Sequence, residues 1–349
     1  MDTKIIATIG PKSEDYSILK AMAINGLDMV RLNFSHASYE QYYKIKENID
    51  KLNAELNLDI KIIFDLQGPR IRIGKLKHEI EMLDGETYVF MHNKGNIDNL
   101  EVPIDDLELI NDLKLDDPIF LDNGSIELRV TEINLLKKRF SAKVERGGLL
   151  LSRKGVNVPK TILKRDILTA KDLLDIKFAR KVKPDFIALS FTQRAEDVAK
   201  VRKSLKDENI KIISKIERGI ALENIDSIIR ESDAIMIARG DLGIEVPLED
   251  LPIIQKNLIR HSHWHDKPAI VATQMMASMV DHYRPTRAEV SDVANAIFDG
   301  ADAVMLSDET AIGAYPVDTV AMMNKIISRT DKYFSNRNYF SNKNIIYKK

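Results

Sequence analysis

The sequence predicts an α/β protein: a (β/α)8 TIM barrel with a small all-β module inserted after the third barrel strand. Three observations lead there. Eight short, nearly continuous apolar runs recur along the chain, and such runs suit strands buried on both faces of a parallel sheet. The stretches between most of them, such as 195–206 and 250–261, carry apolar residues at helical spacing and are long enough for crossovers. One long interval, from about Ile73 to Pro159, instead alternates apolar and polar residues in short pieces separated by turns.

The first three runs are K-I-I-A-T-I-G (4–10), M-V-R-L-N-F-S (29–35) and I-K-I-I-F-D-L (60–66). The interval that follows holds the turn signals D-G (84–85), N-K-G-N (93–96), L-D-N-G-S (121–125) and R-G-G (146–148). Strand-like pieces such as T-Y-V-F-M and S-I-E-L-R-V-T-E-I lie between them, so 73–157 reads as an inserted β-barrel-like domain. The remaining barrel strands are F-I-A-L-S-F (186–191), I-K-I-I-S-K-I-E (210–217), A-I-M-I-A-R (234–239), P-A-I-V-A-T-Q-M (268–275) and A-V-M-L-S-D (303–308). The barrel is thus divided into 1–72 and 158–334, and an Asn- and Lys-rich tail, 335–349, reads as an extension rather than a domain. An open doubly wound sheet is the competing architecture, because spacing alone does not establish closure.

Composition narrows the class. Lys plus Arg number 52 against 53 Asp plus Glu, a net charge of −1, which gives no electrostatic case for nucleic acid or an anionic membrane. A content of 44% hydrophobic and 30% charged residues fits a soluble globular chain. The absence of cysteine removes disulfides, thiolate catalysis and Cys-held metals, and fits the cytoplasm. No signal peptide opens the chain, and no apolar run reaches the ~20 residues needed to span a bilayer.

The strand endings carry the chemistry. In a barrel of this kind the C-terminal ends of the strands converge on one face. They place Arg31, Asn33 and Ser35 on strand two, Asp65 on strand three and Ser190 on strand four. Lys215 and Glu217 end strand five, Arg239 and Asp241 follow strand six, Thr273 and Gln274 end strand seven, and Ser307 to Glu309 end strand eight. A salt-bridged interior layer explains any one of these; polar groups on every informative strand end point to a site. Glu217 and Asp241 are hard oxygen ligands suited to Mg2+ or Mn2+. Lys215 and Arg31 add cations that could stabilise a transferring phosphoryl group or an enolate. G-D-L-G (240–243) offers backbone N–H groups to an anion.

Other features read as ordinary structure. H-S-H-W-H (261–265) ends a surface helix, and His261 and His265 lack an evident third zinc ligand. M-M-A-S-M (275–279) reads as packing, and neither a P-loop nor a dinucleotide fingerprint occurs.

At these residues the chain resembles the pyruvate kinase family. The matching blocks are T-K-I-I-A-T-I-G-P (3–11), V-R-L-N-F-S-H (30–36), D-L-Q-G-P-R-I-R (65–72), K-G-V-N-V-P (154–159), S-K-I-E-R (214–218), M-I-A-R-G-D-L-G-I-E-V-P (236–247), V-A-T-Q-M (271–275) and R-P-T-R-A-E-V-S-D-V-A-N-A (284–296). They run in order from residue 3 to about residue 320. The resemblance implies that the β module is the family's lid and that the reaction is Mg2+-dependent transfer of the phosphoryl group of phosphoenolpyruvate to ADP.

It implies site roles as well. Glu217 and Asp241 hold Mg2+. Lys215 acts on the phosphoryl group and the enolate, and Arg31 and Arg72 on the phosphoryl group. Gly240, Asp241 and Thr273 bind substrate, Thr273 within a proton relay. Asn33, Ser35 and Asp65 match a monovalent-cation site, while Pro11, His36, Lys154 and Asp122 match nucleotide contacts. In the family, K+-independent members carry Leu-Gln after this Asp, with a lysine where Arg70 stands here. Leu66, Gln67 and Ile73 match that form, so Arg70 is expected to supply the charge of K+ and K+ is not expected to be required.

Departures from the family pattern add further expectations. No counterpart of the family's C-terminal domain follows, from which we expect no sugar-phosphate effector control and any homo-oligomer formed through the barrel to be smaller than, or altered from, the usual tetramer. Asp308 replaces a glycine and is expected to bring a negative charge to the catalytic mouth; Asn123 replaces a lid aspartate. A paralogue using the same site on another 2-oxo acid, as decarboxylase or tautomerase, and a non-catalytic regulatory binder are the alternatives.

Overall fold

The structure is a computed structural model that describes residues 3–93 and 95–335; the expected C-terminal extension, 335–349, lies almost wholly outside the described residues. Eight strands form the predicted barrel: β1 (Lys4–Thr8), β2 (Met29–Asn33), β3 (Lys61–Asp65), β4 (Phe186–Leu189), β5 (Lys211–Ile216), β6 (Ala234–Ala238), β7 (Ala269–Ala272) and β8 (Ala303–Leu306). All neighbours pair in parallel, and β1 pairs with β8 in the register Lys4↔Ala303, so the sheet closes and the open doubly wound alternative falls. Two threonines reinforce the seam. Thr8 Oγ1 donates to the Leu306 carbonyl at 2.9 Å, and Thr310 Oγ1 donates to the Thr8 carbonyl at 2.8 Å.

The period of two sorts each strand. One set of side chains, including Ile6, Ile63, Ile213, Met236, Ile270 and Met305, fills the barrel interior. The other set, including Ile5, Phe64, Ile212 and Val271, packs against the helices in a larger core. Strands buried on both faces explain why the runs are almost wholly apolar until their last residues. The crossover helices start where local chemistry dictates. Helix Arg287–Asp299, for example, has a Thr286/Glu289 capping box at one end and left-handed Gly300 at the other.

The inserted module has its own apolar core, in which Phe90 stacks on Phe140 at 5.0 Å. Its main sheet has six strands in the order 156–157, 118–121, 126–134, 139–146, 87–92, 101–104. Pairing is antiparallel except between 87–92 and 101–104, and a separate two-stranded piece joins 80–82 to 148–150. The chain enters and leaves side by side: Arg72 bridges Gly155, and the Ile73 N–H donates to the Lys154 carbonyl at 2.8 Å. Among the described residues, no helix is long and apolar enough to cross a membrane.

Candidate active site

The predicted strand ends meet in one cavity of about 100 Å3 at the C-terminal mouth of the barrel. Arg31, Asn33, Ser35, Arg70, Ser190, Lys215, Glu217, Asp241 and Thr273 all line it, with Met236 and Met305 among the apolar residues. Its centre is a buried charge network. Arg31 Nε donates to Asp65 Oδ2 at 2.6 Å, and Arg31 Nη1 to Thr8 Oγ1 at 2.9 Å. Lys215 Nζ donates to Ser190 Oγ at 2.9 Å and lies 2.9 Å from Glu217 Oε1 and 3.4 Å from Asp65 Oδ2. Ser190 Oγ donates in turn to the Leu66 carbonyl at 2.8 Å.

Burial and charge set the protonation balance. Burial opposes ionisation of Asp65, but Lys215 and Arg31 outweigh it and hold the carboxyl below its usual value. Burial likewise opposes the Lys215 cation, yet Asp65 and Glu217 hold its value above normal. Glu217 is pushed up by burial and, against the pull of Lys215, by the neighbouring charge of Asp241. A buried carboxyl raised by a neighbouring carboxylate fits a divalent cation held between the two. Among the described residues no cluster of three or more His, Asp or Glu forms a complete cage. Glu217 and Asp241 would hold a divalent metal with two side-chain oxygens, leaving positions for substrate or water, as suits Mg2+.

The backbone is bent to aim these groups. Phe191, Thr273 and Gln274 have φ of 57°, 73° and 54°, a left-handed conformation that is costly for a β-branched residue such as Thr273. The Phe191 N–H thereby donates to Glu217 Oε2 at 2.6 Å. Gly68 at φ 67° packs against Ser190, where an added Cβ would meet the Ser190 Cβ at 2.9 Å, so the turn after β3 needs glycine.

Several expectations change. The Gly240 N–H is engaged rather than free, donating to Thr273 Oγ1 at 2.7 Å, which itself donates to the Ala272 carbonyl. Arg239 turns away from the cavity, forming two 2.7 Å bonds with Asp292 and one of 2.8 Å to the Thr273 carbonyl. Arg70, not Arg72, lines the cavity, 3.5 Å from Asp241. Arg72 sits on the lid's entry strand with its guanidinium on the Arg153 carbonyl at 3.2 Å. Lys154 and Asp122 pair with each other at 2.9 Å, while Pro11 and His36 are exposed. Asp308 is exposed and opens a short helix; it does not line the cavity, where Ser307 stands instead. Asn123, with φ 57°, stands in a left-handed turn that asparagine tolerates well. His261 and His265 both contact Asp226 Oδ1, at 3.0 and 3.4 Å, and do not form a metal centre.

Sequence reading left out Thr8, which the period of two on β1 places beside Arg31, and the buried pair Arg218–Glu245, for which the sequence holds no local signal.

Residues 1–320 match the model of the family described as pyruvate kinase, barrel domain. The chain is 44% identical over 333 residues to a pyruvate kinase of Agrobacterium vitis, covering 95% of this chain and 68% of that protein. It is 43% identical over 345 residues to the pyruvate kinase of Bacillus licheniformis, covering 97% and 59%, so it spans well under the full length of these relatives. The crystal structure of a pyruvate kinase from Cryptosporidium parvum superposes with a TM-score of 0.89 at 37% identity, over 95% of this chain and 69% of that one.

Proposed function

This chain belongs to the pyruvate kinase family, and from that premise we propose that it transfers the phosphoryl group of phosphoenolpyruvate to ADP, giving pyruvate and ATP, with Mg2+ and without a K+ requirement. The observation that carries the reading is the interlocked set Arg31, Asp65, Lys215 and Glu217 in one cavity with Asp241 and Thr273. Phosphoryl transfer is catalysed mainly by positioning and charge neutralisation, and this set supplies both. Mg2+, held by Glu217 and Asp241, would neutralise phosphoryl charge.

The protein's own groups do the rest. Lys215 and Arg31 are buried cations fixed by Asp65, so little reorganisation is needed as negative charge moves from the phosphoryl group to the enol oxygen. In this reading Thr273, whose Oγ1 donates to the Ala272 carbonyl and accepts from the Gly240 N–H, belongs to the proton relay that ends at the enolate carbon. The module at 73–157 acts as a lid whose Lys154 and Asp122 meet the nucleotide together with Pro11 and His36, and its closure would exclude water that otherwise hydrolyses the donor. Arg72, which rests on the Arg153 carbonyl outside the cavity, would reach the phosphoryl group only as the lid closes. Arg70 shares the cavity with Asn33 and Ser35 and provides a fixed positive charge there in place of K+.

An assay coupling pyruvate formation to lactate dehydrogenase, with phosphoenolpyruvate, ADP and Mg2+, tests the reading directly. Turnover that vanishes in Glu217→Ala and is unaltered by replacing Na+ with K+ is expected. Absence of turnover would overturn the reaction, and strict K+ dependence would overturn the role of Arg70. Asp308 is exposed and does not line the cavity, which weakens one of the reasons for considering another 2-oxo acid.

A further inference from the structure

Behind the metal-binding carboxylates lies a second buried ion pair. Arg218 follows Glu217 directly in the chain. Glu245 ends the helix Arg239–Glu245 that carries Asp241. Arg218 Nε donates to Glu245 Oε2 at 2.9 Å, with both side chains almost wholly buried. The same guanidinium reaches out of the barrel. Its Nη2 donates to the carbonyls of Val158 and Thr161, at 3.1 and 2.9 Å, in the segment by which the lid returns to the barrel. Asn157 Nδ2 approaches Glu245 Oε1 at 3.4 Å. That segment is fastened equally firmly to the lid. Val156 and Asn157 pair with Leu121 and Phe120, and Thr161 Oγ1 donates to Asp117 Oδ2 at 2.9 Å.

We propose that Arg218 and Glu245 are positioning residues that couple the lid's orientation to the metal-binding carboxylates Glu217 and Asp241. The physical argument is one of shared attachment. One planar guanidinium holds two linker carbonyls and the carboxylate that closes the Asp241 helix. A rotation of the lid about this linker cannot leave all three bonds unchanged, and the atoms that must answer are one residue from Glu217 and four from Asp241. Lid closure over a nucleotide then adjusts the carboxylates, and occupation of the carboxylates favours one lid position. Lysine cannot reproduce this, because a single ammonium on a flexible stem lacks the fixed fork that spans the three acceptors.

The inference rests on the reading of the cavity as a nucleotide-using phosphotransferase site, and the test separates the two. Arg218→Leu alone strands a buried carboxylate and is expected to lower the thermal midpoint. The double variant Arg218→Leu/Glu245→Leu replaces the pair by apolar groups and is expected to regain that stability. Its KM for ADP is nonetheless expected to stay raised by roughly tenfold or more, with KM for phosphoenolpyruvate within about threefold of wild type. Arg218→Lys, which keeps a charge beside Glu245 but gives up the linker carbonyls, is expected to show the same split with a smaller loss of stability than Arg218→Leu, and it carries the comparison should the double variant remain unstable. Recovered stability with both constants at wild-type values would make the pair merely structural and overturn the coupling, as would an equal rise in both. If the wild type turns over no phosphoenolpyruvate with ADP, the function reading fails and hydrogen exchange decides the coupling. Mn2+ alone should then change deuterium uptake over residues 156–163 in the wild type and not in Arg218→Lys. No Mn2+ effect in the wild type, or an equal one in the variant, overturns it.

Discussion

The barrel mouth and the lid hold their charged groups in opposite ways. At the mouth, Arg31, Asp65, Lys215 and Glu217 are buried, mutually bonded and aimed into one cavity by strand ends. On the lid, Lys154 and Asp122 are partly exposed and satisfied by each other, and Arg72 rests on a backbone carbonyl. Groups that meet a fixed developing charge belong on a rigid scaffold, where preorganisation is greatest. Groups that meet a nucleotide arriving from solvent need alternative partners to rest on while the site is open. On the proposed function, the difference separates a chemical half of the site from a recognition half.

The largest expected effect tests the rigid half. Lys215→Met should lower the rate of phosphoryl transfer by roughly 10²-fold or more in the coupled assay, as loss of a preorganised cation does elsewhere. A variant retaining most of the rate would show that the buried network is not the reaction centre. Next, Lys154→Ala should raise KM for ADP about tenfold while leaving kcat nearly unchanged, the signature of one lost charge-assisted contact of about 1.4 kcal/mol. A fall in kcat at constant KM would erase the division between the halves.

A third test sharpens the comparison within the mouth itself. Asp65 is buried among cations, whereas Glu309 is buried with backbone N–H groups, those of Ser307 and Met276 among them, bonded to its carboxylate. Burial therefore pushes Glu309 above its ordinary value of 4.5. Its native state binds a proton more tightly than the unfolded state, so stability is lost as pH rises above 4.5 through the raised value. Glu309→Gln should remove this slope, so that wild type loses thermal stability relative to the variant as pH climbs. A difference in midpoint that is constant with pH would contradict the assignment. The smallest effect is expected at Asp308→Gly. An exposed side chain outside the cavity should change kcat/KM by less than about twofold, and a large gain in activity would return Asp308 to the catalytic mouth.

Much of this division was legible in the sequence. Near-continuous apolar strands with polar last residues follow from burial on two faces and an open end, so β1–β8 and the cluster around Lys215 could be read from spacing. What escaped depended on where the chain turns after leaving a strand. Arg70 and Arg72 share a period-two direction on paper, but the left-handed turn at Gly68 and the pairing of Arg72 with Gly155 send only Arg70 into the cavity. Ser307, with φ −108° and ψ −103°, breaks the strand period and turns Asp308 outward. Arg239 is captured by Asp292, which is 53 residues away in sequence, and Arg218 by linker carbonyls that carry no side-chain signal.

The bridge between Arg72 and Gly155 has a consequence for the chain as a set of separable parts. Because the β module is entered and left at hydrogen-bonded neighbours, removing it requires only a short splice and leaves the order of the eight barrel strands intact. A spliced barrel would keep the catalytic cations and lose the lid. Exchange of the methyl protons of pyruvate, which consumes no nucleotide, would then report whether the barrel half of the proposed site works alone.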